Sequence, residues 1–460
     1  MAERKQVIDF RSPPAPPGFG YHPDFYEDFR NCQQRAHDCF ANGQADEAIE
    51  CLEGKQITVK ELSNPLHPDV FVIPRNKYVN VVDPWGESIG FERMVFPFSS
   101  TDFYVDIDGE GIYKDLCRSA AFIRLGGISQ LGYLVPPKPK EWDESIEIVY
   151  TTPQFHHTRW IHSLLVTILT DLIMARNGFP FKRRAPVILA TGGHDIAIPA
   201  GGDSVKRVDP VGLDEEKNFS WVLKHHGLDK VWGRKFGFNL FKAQKIVENV
   251  GTFGRLLDFT DKIAYTALDC YFLGLMRPGE IRDFCIKHPL VMDVWQDIMF
   301  SDKEGFVFSD AGRLFDFLLL RAYEFQEFLY NPYSRALDLY LKGLVKPLYE
   351  KGEITKEQLL THDDMWLEHF LGECCPGKIK AYIEPEELKC RKFETKTEEE
   401  KFLAEVDRVD HMEHLTGFSS GLDWRISGGG SLREAISKEK VELLEGIIAS
   451  TRGYYVYYRV

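Results

Sequence analysis

Four residues offer metal-binding atoms from three separate stretches of the chain. His162 lies one turn into a helix expected to begin near Thr158, in PQFHHTRWIHSLLVTILTDL (153–172). His194 and Asp195 stand side by side in ATGGHDIAIP, at the end of an apolar helix, and Asp261 sits inside the long helical pattern RLLDFTDKIAYTALD. Imidazole nitrogens and carboxylate oxygens together suit one borderline or hard divalent cation (Mn, Fe, Zn or Mg), and an incomplete protein shell leaves room for water. Such an ion acidifies bound water into a nucleophile and neutralises phosphate oxygens. A contiguous His-Asp pair can reach one ion, with the remaining ligands supplied by neighbouring helices, as in other bundle sites. A lone histidine on an apolar helix is more often a hydrogen-bonded core residue. The order H…HD…D, each member on its own predicted helix, is far more specific.

Positioning these groups requires a helical frame. Helical patterns are expected at about 114–132, 159–177, 185–197, 215–227, 240–274, 279–300 and 310–349, punctuated by Pro180, Pro199 and Pro210. Residues 1–25 are proline-rich and read as an extended arm, followed by helical periodicity over 26–54. Between about 68 and 112, β-branched and aromatic runs alternate with Gly, Pro and Asp, which predicts short strands. In the tail, KFETKTEEEKFLAEVDRVD reads as a solvated helix face, SGGGS as a flexible link and YYVYY as a strand. The expected class is mainly α, with small β elements near the N-terminal part and in the C-terminal tail. Three segments are expected: 1–75 (arm and helix), 76–350 (core) and 351–460 (an α+β appendage). A chain of 460 residues is too long for one compact core of ordinary size, which fits this division.

Hydrophobic and charged fractions of 44% and 27% are those of a globular protein. A formal charge of -14 excludes a general nucleic-acid coat but allows a local basic pocket for a small anion. Nine scattered cysteines without CxxC pairing imply reduced thiols and a cytoplasmic location. The N-terminus has no apolar segment of the signal-peptide kind. The longest apolar run, 161–175, is interrupted by His162 and Asp171 and is too short to span a bilayer, so a soluble protein without membrane contact is expected.

The motifs, taken in order, resemble the HD phosphohydrolase superfamily, and within it the deoxynucleoside triphosphate triphosphohydrolases (dGTPase-like and SAM-and-HD-domain enzymes). The likeness covers roughly residues 80–335. VVDPWGESI resembles the family's DPxHGxI, with Trp85 where histidine is usual, and FIRLGGISQLG resembles FQRLxxIxQLG. HHTRWIHSLLV is similar to xHTRFEHSLGV, GGHDIAIPAGGD to LHDIGHPPFGH, and DFTDKIAYTALD to DLADDIAYxxxD. The resemblance implies an HD-domain helical bundle that hydrolyses a deoxynucleoside triphosphate to nucleoside and tripolyphosphate, by attack of metal-bound hydroxide on the α-phosphorus. It implies His162, His194, Asp195 and Asp261 as ligands of one divalent ion, with Arg159 and Lys262 on the phosphates. Tyr265 and Asp269 fall around the deoxyribose, Asp269 at the 3′-hydroxyl, and Gln130 and Leu131 at sugar and base. It also implies a homo-oligomer. Helix geometry agrees in part: Asp261, Tyr265 and Asp269 recur at i, i+4 and i+8 and stack on one face.

The chain departs from the family after the His-Asp pair. Ile198 and Asp203 stand where histidines support attack and leaving-group protonation, and Asn218 is the counterpart of a further one. Ile198 cannot move a proton. Asp203 can, if buried, in a loop that Pro199, Gly201 and Gly202 turn back toward the metal; His225 and His226 are substitutes. Arg118 and Gly126 occupy the positions of the vertebrate enzyme's guanine-nucleotide regulatory site, so that regulation is not carried over. Two alternatives remain open: hydrolysis of another nucleotide phosphoester, and a nucleotide-binding sensor or scaffold with weak turnover.

Overall fold

The computed structural model describes residues 55–58, 70–74, 79–82, 91–94, 96–107, 111–130, 157–274, 279–302, 305–375, 388–406 and 409–459. The expected arm and first helix (1–54), Trp85 with its motif beyond Val82, and Leu131 lie outside the described residues. From the N-terminal side, the helices are α1 (Ile112–Cys117), α2 (Ala120–Arg124), α3 (Arg159–Arg176), α4 (Phe181–Gly192), α5 (Gly202–Lys206) and α6 (Glu215–His225). They continue as α7 (Leu228–Phe236), α8 (Leu240–Val247), α9 (Gly251–Asp269), α10 (Glu280–Lys287), α11 (Ala311–Glu324), α12 (Pro332–Glu350), α13 (Lys356–Thr361) and α14 (Asp364–Cys374). The tail adds α15 (Lys396–Leu403), α16 (Leu432–Ala435) and α17 (Lys438–Ser450).

Helix α3 lies inside the molecule. Thr158 is extended at its start and its hydroxyl accepts from the Ile161 N–H, satisfying one of the free amides of the first turn. Every residue from His162 to Ala175 is buried, so the helix is surrounded on all sides rather than packed on one face. The one acidic group in that run, Asp171, accepts from Arg184 Nε of α4 at 2.8 Å and Tyr113 Oη of α1 at 3.0 Å. A buried carboxylate without such partners would be strongly destabilising, so this pairing pins α1, α3 and α4 together. A Cβ at Gly192 would come within 2.5 Å of Leu116 and Thr167, so only glycine allows α4 to approach this closely. Helix α9 crosses α3 where the Thr170 and Thr260 hydroxyls meet at 3.1 Å.

The strands are β1 (Lys55–Thr58), β2 (Val70–Pro74), β3 (Val79–Val82), β4 (Phe91–Met94), β5 (Thr101–Asp106), β6 (Ile298–Ser301), β7 (Gly305–Phe308), β8 (Leu388–Phe393), β9 (Val409–Leu415) and β10 (Gly453–Arg459). β1 and β3 pair in parallel, while β2 and β4 flank β5 antiparallel. β6 and β7 form a hairpin, and β10 is the middle strand of an antiparallel sheet with β8 and β9. The strands expected between 68 and 112 and the YYVYY strand are thus present; the charged stretch expected to be a solvated helix face is helical only at α15, where Glu399 is buried, and its ends fall in β8 and β9.

Several expected helices are interrupted. The pattern over 114–132 breaks at Ser119, whose hydroxyl caps α2, and ends in a tight 3-10 turn at Leu125–Gly127. The pattern over 185–197 starts earlier, after Pro180, and stops at Gly192, leaving His194 and Asp195 in a turn. The pattern over 240–274 breaks where Asn249 and Gly251 adopt φ of 56° and 78°, a left-handed conformation that asparagine and glycine tolerate. The helix expected to 300 gives way to a 3-10 stretch (Val291–Asp297) and then β6. The one over 310–349 divides at Asn331-Pro332, where proline is favoured at the first position of a helix.

One hydrophobic core runs from Met94 to Ile448 and takes in α3, α4, α9 and α11. Leu422, Ile426, Leu432, Leu444 and Ile448 belong to it, so the tail folds against the central helices. A second cluster joins Ala200, Val205 and Leu213 to Leu341, Val345, Leu359, Leu367 and Leu371. It underpins the loop that follows the His-Asp pair.

Candidate metal centre

Three elements deliver the four predicted ligands to one place: α3 brings His162, the turn after α4 brings His194 and Asp195, and α9 brings Asp261. A ligand atom from each of His162, His194 and Asp261 lies within 4.8 Å of the other two. His162 Nε2 is 2.9 Å from Asp261 Oδ1 and 3.4 Å from His194 Nε2; His194 Nε2 is 3.5 Å from Asp261 Oδ1. Asp195 Oδ2 stands slightly further off, 3.7 Å from His162 Nε2 and 3.6 Å from His194 Nε2. His194 Nδ1 lies 2.7 Å from the Thr191 carbonyl, which can only accept, so Nδ1 carries the proton. In the neutral ring, Nε2 then faces the cluster with a free lone pair, the tautomer a metal ligand needs.

The electrostatics fit a cation. Burial alone would lower the His194 pKa, but Asp195 and Asp261 outweigh it and push it up to about 9. Burial likewise works against the Asp195 carboxylate, yet Arg159 and the two histidines hold it down at about 2. Asp261 is held far below the usual range, against its burial, by the two imidazoles beside it. Two imidazoles and two anionic carboxylates converging on one point are a donor set for a divalent ion. Asp261 keeps 32% side-chain exposure, so the cluster opens to solvent on one side.

Arg159 sits beside it, its Nη1 donating to Asp195 Oδ2 at 2.9 Å and its Nη2 to Asp203 Oδ2 at 2.7 Å. Gly201 and Gly202 have φ of 83° and 57° and turn the loop back, as Pro199 and the two glycines predict. A Cβ on Gly201 would meet Val205 at 2.3 Å and Leu367 at 2.9 Å, so the turn is also too tight for a side chain. Asp203, at the start of α5, is 46% exposed and engaged by Arg159, so the burial expected of a proton donor is not found. Ile198 is fully buried in the core. Asn218 donates to the carbonyls of Gly212 and Asp214 and secures a loop rather than the cluster. His225 is exposed and stacks on Trp221.

The remaining expected site residues fall on α9 or next to it. Lys262 pairs with Asp258, and its ammonium lies 5.9 Å from the Trp424 ring. Tyr265 Oη accepts from Arg321 Nε at 2.5 Å, and burial raises its pKa far above the usual value. Asp269 is buried at the end of α9, its Oδ1 3.0 Å from His157 Nε2. The approach is short, yet neither atom makes a hydrogen bond. Gln130 is buried with its Oε1 unsatisfied, one residue from the bridge that pairs Ser129 with Thr158.

Several contributors are not among the expected site residues, although Arg124 is the arginine of FIRLGGISQLG. Arg124 of α2 donates to the carbonyls of Ile198 at 2.6 Å, Ile196 at 3.0 Å and His362 at 2.7 Å, clipping the loop behind the His-Asp pair. Asp364, at the start of α14, accepts from the Gly201 amide at 2.7 Å and the Ser129 amide at 2.9 Å. Arg321 and Glu324 of α11 back Tyr265 and Thr266. For Arg321 and Glu324 the sequence offers only a charged residue repeated one turn on within FLLLRAYE.

No family model matches the sequence, and no curated protein matches it. Solved structures do resemble it. A hypothetical protein from Aquifex aeolicus superposes with a TM-score of 0.58 at 17% identity, covering 80% of this chain and 96% of that one. A phosphohydrolase from Bacteroides thetaiotaomicron superposes with a TM-score of 0.57 at 15% identity, covering 80% of this chain and 100% of that one. At these identities the likeness establishes a shared helical fold.

Proposed function

We propose that this chain is a metal-dependent phosphohydrolase that converts deoxynucleoside triphosphates to deoxynucleoside and tripolyphosphate. The observation that carries the reading is the convergence of His162, His194 and Asp261 within 4.8 Å, flanked by Asp195. The fold shared with a protein described as a phosphohydrolase supports it. A divalent ion held by these four residues would acidify water and screen phosphate oxygens. The chain's own groups do the rest. Arg159, already bridging two carboxylates, presents its guanidinium at the rim of the cluster, where phosphate oxygens could replace Asp203 as acceptors. Lys262 lies one position round from Asp261 and supplies a second positive charge. Tyr265, Asp269 and Gln130 line the sugar side, where Gln130 Oε1 and Asp269 Oδ1 lack hydrogen-bond donors that substrate hydroxyls could provide. Asp203, exposed and adjacent to Arg159, orients water or accepts its proton.

The deciding experiment incubates purified protein with Mn²⁺ and each deoxynucleoside triphosphate and separates the products. Nucleoside plus tripolyphosphate supports the proposal. Monophosphate plus pyrophosphate shifts the reading to another phosphoester chemistry. Binding without turnover supports a sensor, the alternative that the fully buried Ile198 favours.

A further inference from the structure

The start of α14 carries two neighbouring carboxylates with different tasks. Asp363 caps the helix, accepting from the Trp366 amide at 3.1 Å. Asp364 is buried, and each of its oxygens takes one backbone N–H: Oδ1 from Gly201 at 2.7 Å and Oδ2 from Ser129 at 2.9 Å. Those amides belong to separate segments, and both segments lead to the candidate site.

Ser129 forms a short antiparallel bridge with Thr158. Beside it, the Gln130 amide donates to the His157 carbonyl at 3.1 Å and the Arg159 amide to the Ile128 carbonyl at 2.9 Å. The bridge thus fixes the backbone of both Gln130 and Arg159. Gly201 belongs to the loop behind His194 and Asp195, and Asp203 follows two positions on. The same loop is held by the Ala200 amide, which donates to the Leu359 carbonyl at 2.8 Å, and by Arg124. Arg159 Nη2 then reaches Asp203 Oδ2 at 2.7 Å. The contacts close a ring. It runs from Asp364 to Ser129, across the bridge to Arg159, through Asp203 to Gly201, and back to Asp364.

We propose that Asp364 is the positioning residue that sets the spacing between Gln130 and the Arg159–Asp203 pair, so that one ligand can be held at both ends. That this ligand is a deoxynucleoside triphosphate, its sugar toward Gln130 and its phosphates toward Arg159, rests on the function proposed above; the joint itself does not.

The joint requires a carboxylate. Both oxygens accept, so one side chain satisfies two converging amides. Asparagine has the same size but turns one position into a donor, which leaves a buried N–H unpaired. Glutamate keeps both acceptors on an arm one methylene longer. The joint matters most with ligand bound. Phosphate oxygens that draw Arg159 away from Asp203 open the ring there, and Asp364 still ties the bridge to the loop.

Hydrogen exchange of the intact protein reads the joint without any ligand. In Asp364→Asn, at least one of the segments 128–130 and 200–203 should exchange about tenfold faster, the scale of a buried amide losing its acceptor. The interior of α3 (164–172) should keep its wild-type rate. Unchanged protection in both segments overturns the proposal, as does an equal loss in α3, which marks general loosening. Inhibition reads the spacing: tripolyphosphate and deoxyguanosine each occupy one end of the cleft, and dGTP occupies both. Asp364→Asn should raise KM for dGTP about tenfold with bound metal unchanged, while inhibition constants for tripolyphosphate and deoxyguanosine stay within about threefold. Equal weakening of all three overturns the spacing role. Asp364→Glu should recover more of the wild-type KM than Asp364→Asn, and the reverse order counts against a two-acceptor joint. Should Asp364→Asn fail to fold, Asp364→Glu carries both measurements, and the Ser129 and Gly201 amides of the wild type must exchange slowly; rapid exchange at either overturns the proposal. Faster exchange at the two segments in a protein that hydrolyses no nucleotide leaves the joint standing and removes the nucleotide reading instead.

Discussion

His194 and Asp195 face the same point as His162 and Asp261, so deleting either should cost the ion as well as turnover. His194→Ala and Asp195→Ala are each expected to lose bound metal, read by elemental analysis, together with activity; full occupancy in both would remove the ligand assignment. Asp203 makes the contrasting case. Its carboxylate touches Arg159 and not the cluster, so Asp203→Asn should retain metal while turnover falls by about two to four orders of magnitude, the usual scale for a lost acid–base group. Wild-type turnover in Asp203→Asn would move proton handling to solvent. Tyr265 provides a test of sugar selection. Its hydroxyl is held by Arg321; with the sugar placed against its ring as proposed, a 2′-hydroxyl would find little space, and GTP should be a poor substrate beside dGTP. Equal rates with the same products would sink the sugar assignment.

Helices α9, α11 and α14 show what the sequence makes legible and what it hides. The His162, His194, Asp195 and Asp261 set is readable because a divalent ion selects imidazole and carboxylate donors and because their order along the chain resembles the HD motif. Asp261, Tyr265 and Asp269 are readable because helical spacing alone places them on one face. Glu324, Arg321 and Asp364 are not readable in this way. Their contacts span 58, 56 and up to 235 residues and depend on how helices cross, which no local pattern encodes. The broken helices at Asn249 and Asn331-Pro332 do carry local signals, but apolar periodicity continues across both breaks and masks them. Asp364 also supplies a test of the α14 contact. Burial raises its pKa from 3.8 to about 6, so the folded state binds the proton more tightly than the unfolded chain. That contribution is complete below the unfolded value and is lost as pH rises through about 6. Asp364→Asn should therefore flatten the fall in stability over this window, measured by denaturant unfolding at a series of pH values. An unchanged slope would show that Asp364 titrates as an exposed carboxyl.

Across the whole molecule, the tail and the central helices share a core. Leu432 and Leu444 are completely buried against it, and truncating either to alanine should destabilise the protein by about 2–5 kcal/mol, in a single transition that also abolishes metal binding. Two separate transitions, with metal retained after the first, would show that the tail folds independently.

The two amides held by Asp364 have a further consequence during synthesis. All four ligands have been made once Asp261 is added, but the residue that secures the loop beside them follows about a hundred positions later. At translation rates of about 5–20 residues per second, the nascent chain spends roughly 5–20 s with its metal-binding groups complete and that loop unanchored. Completion of the loop beside the cluster is thereby delayed until most of the polypeptide has left the ribosome.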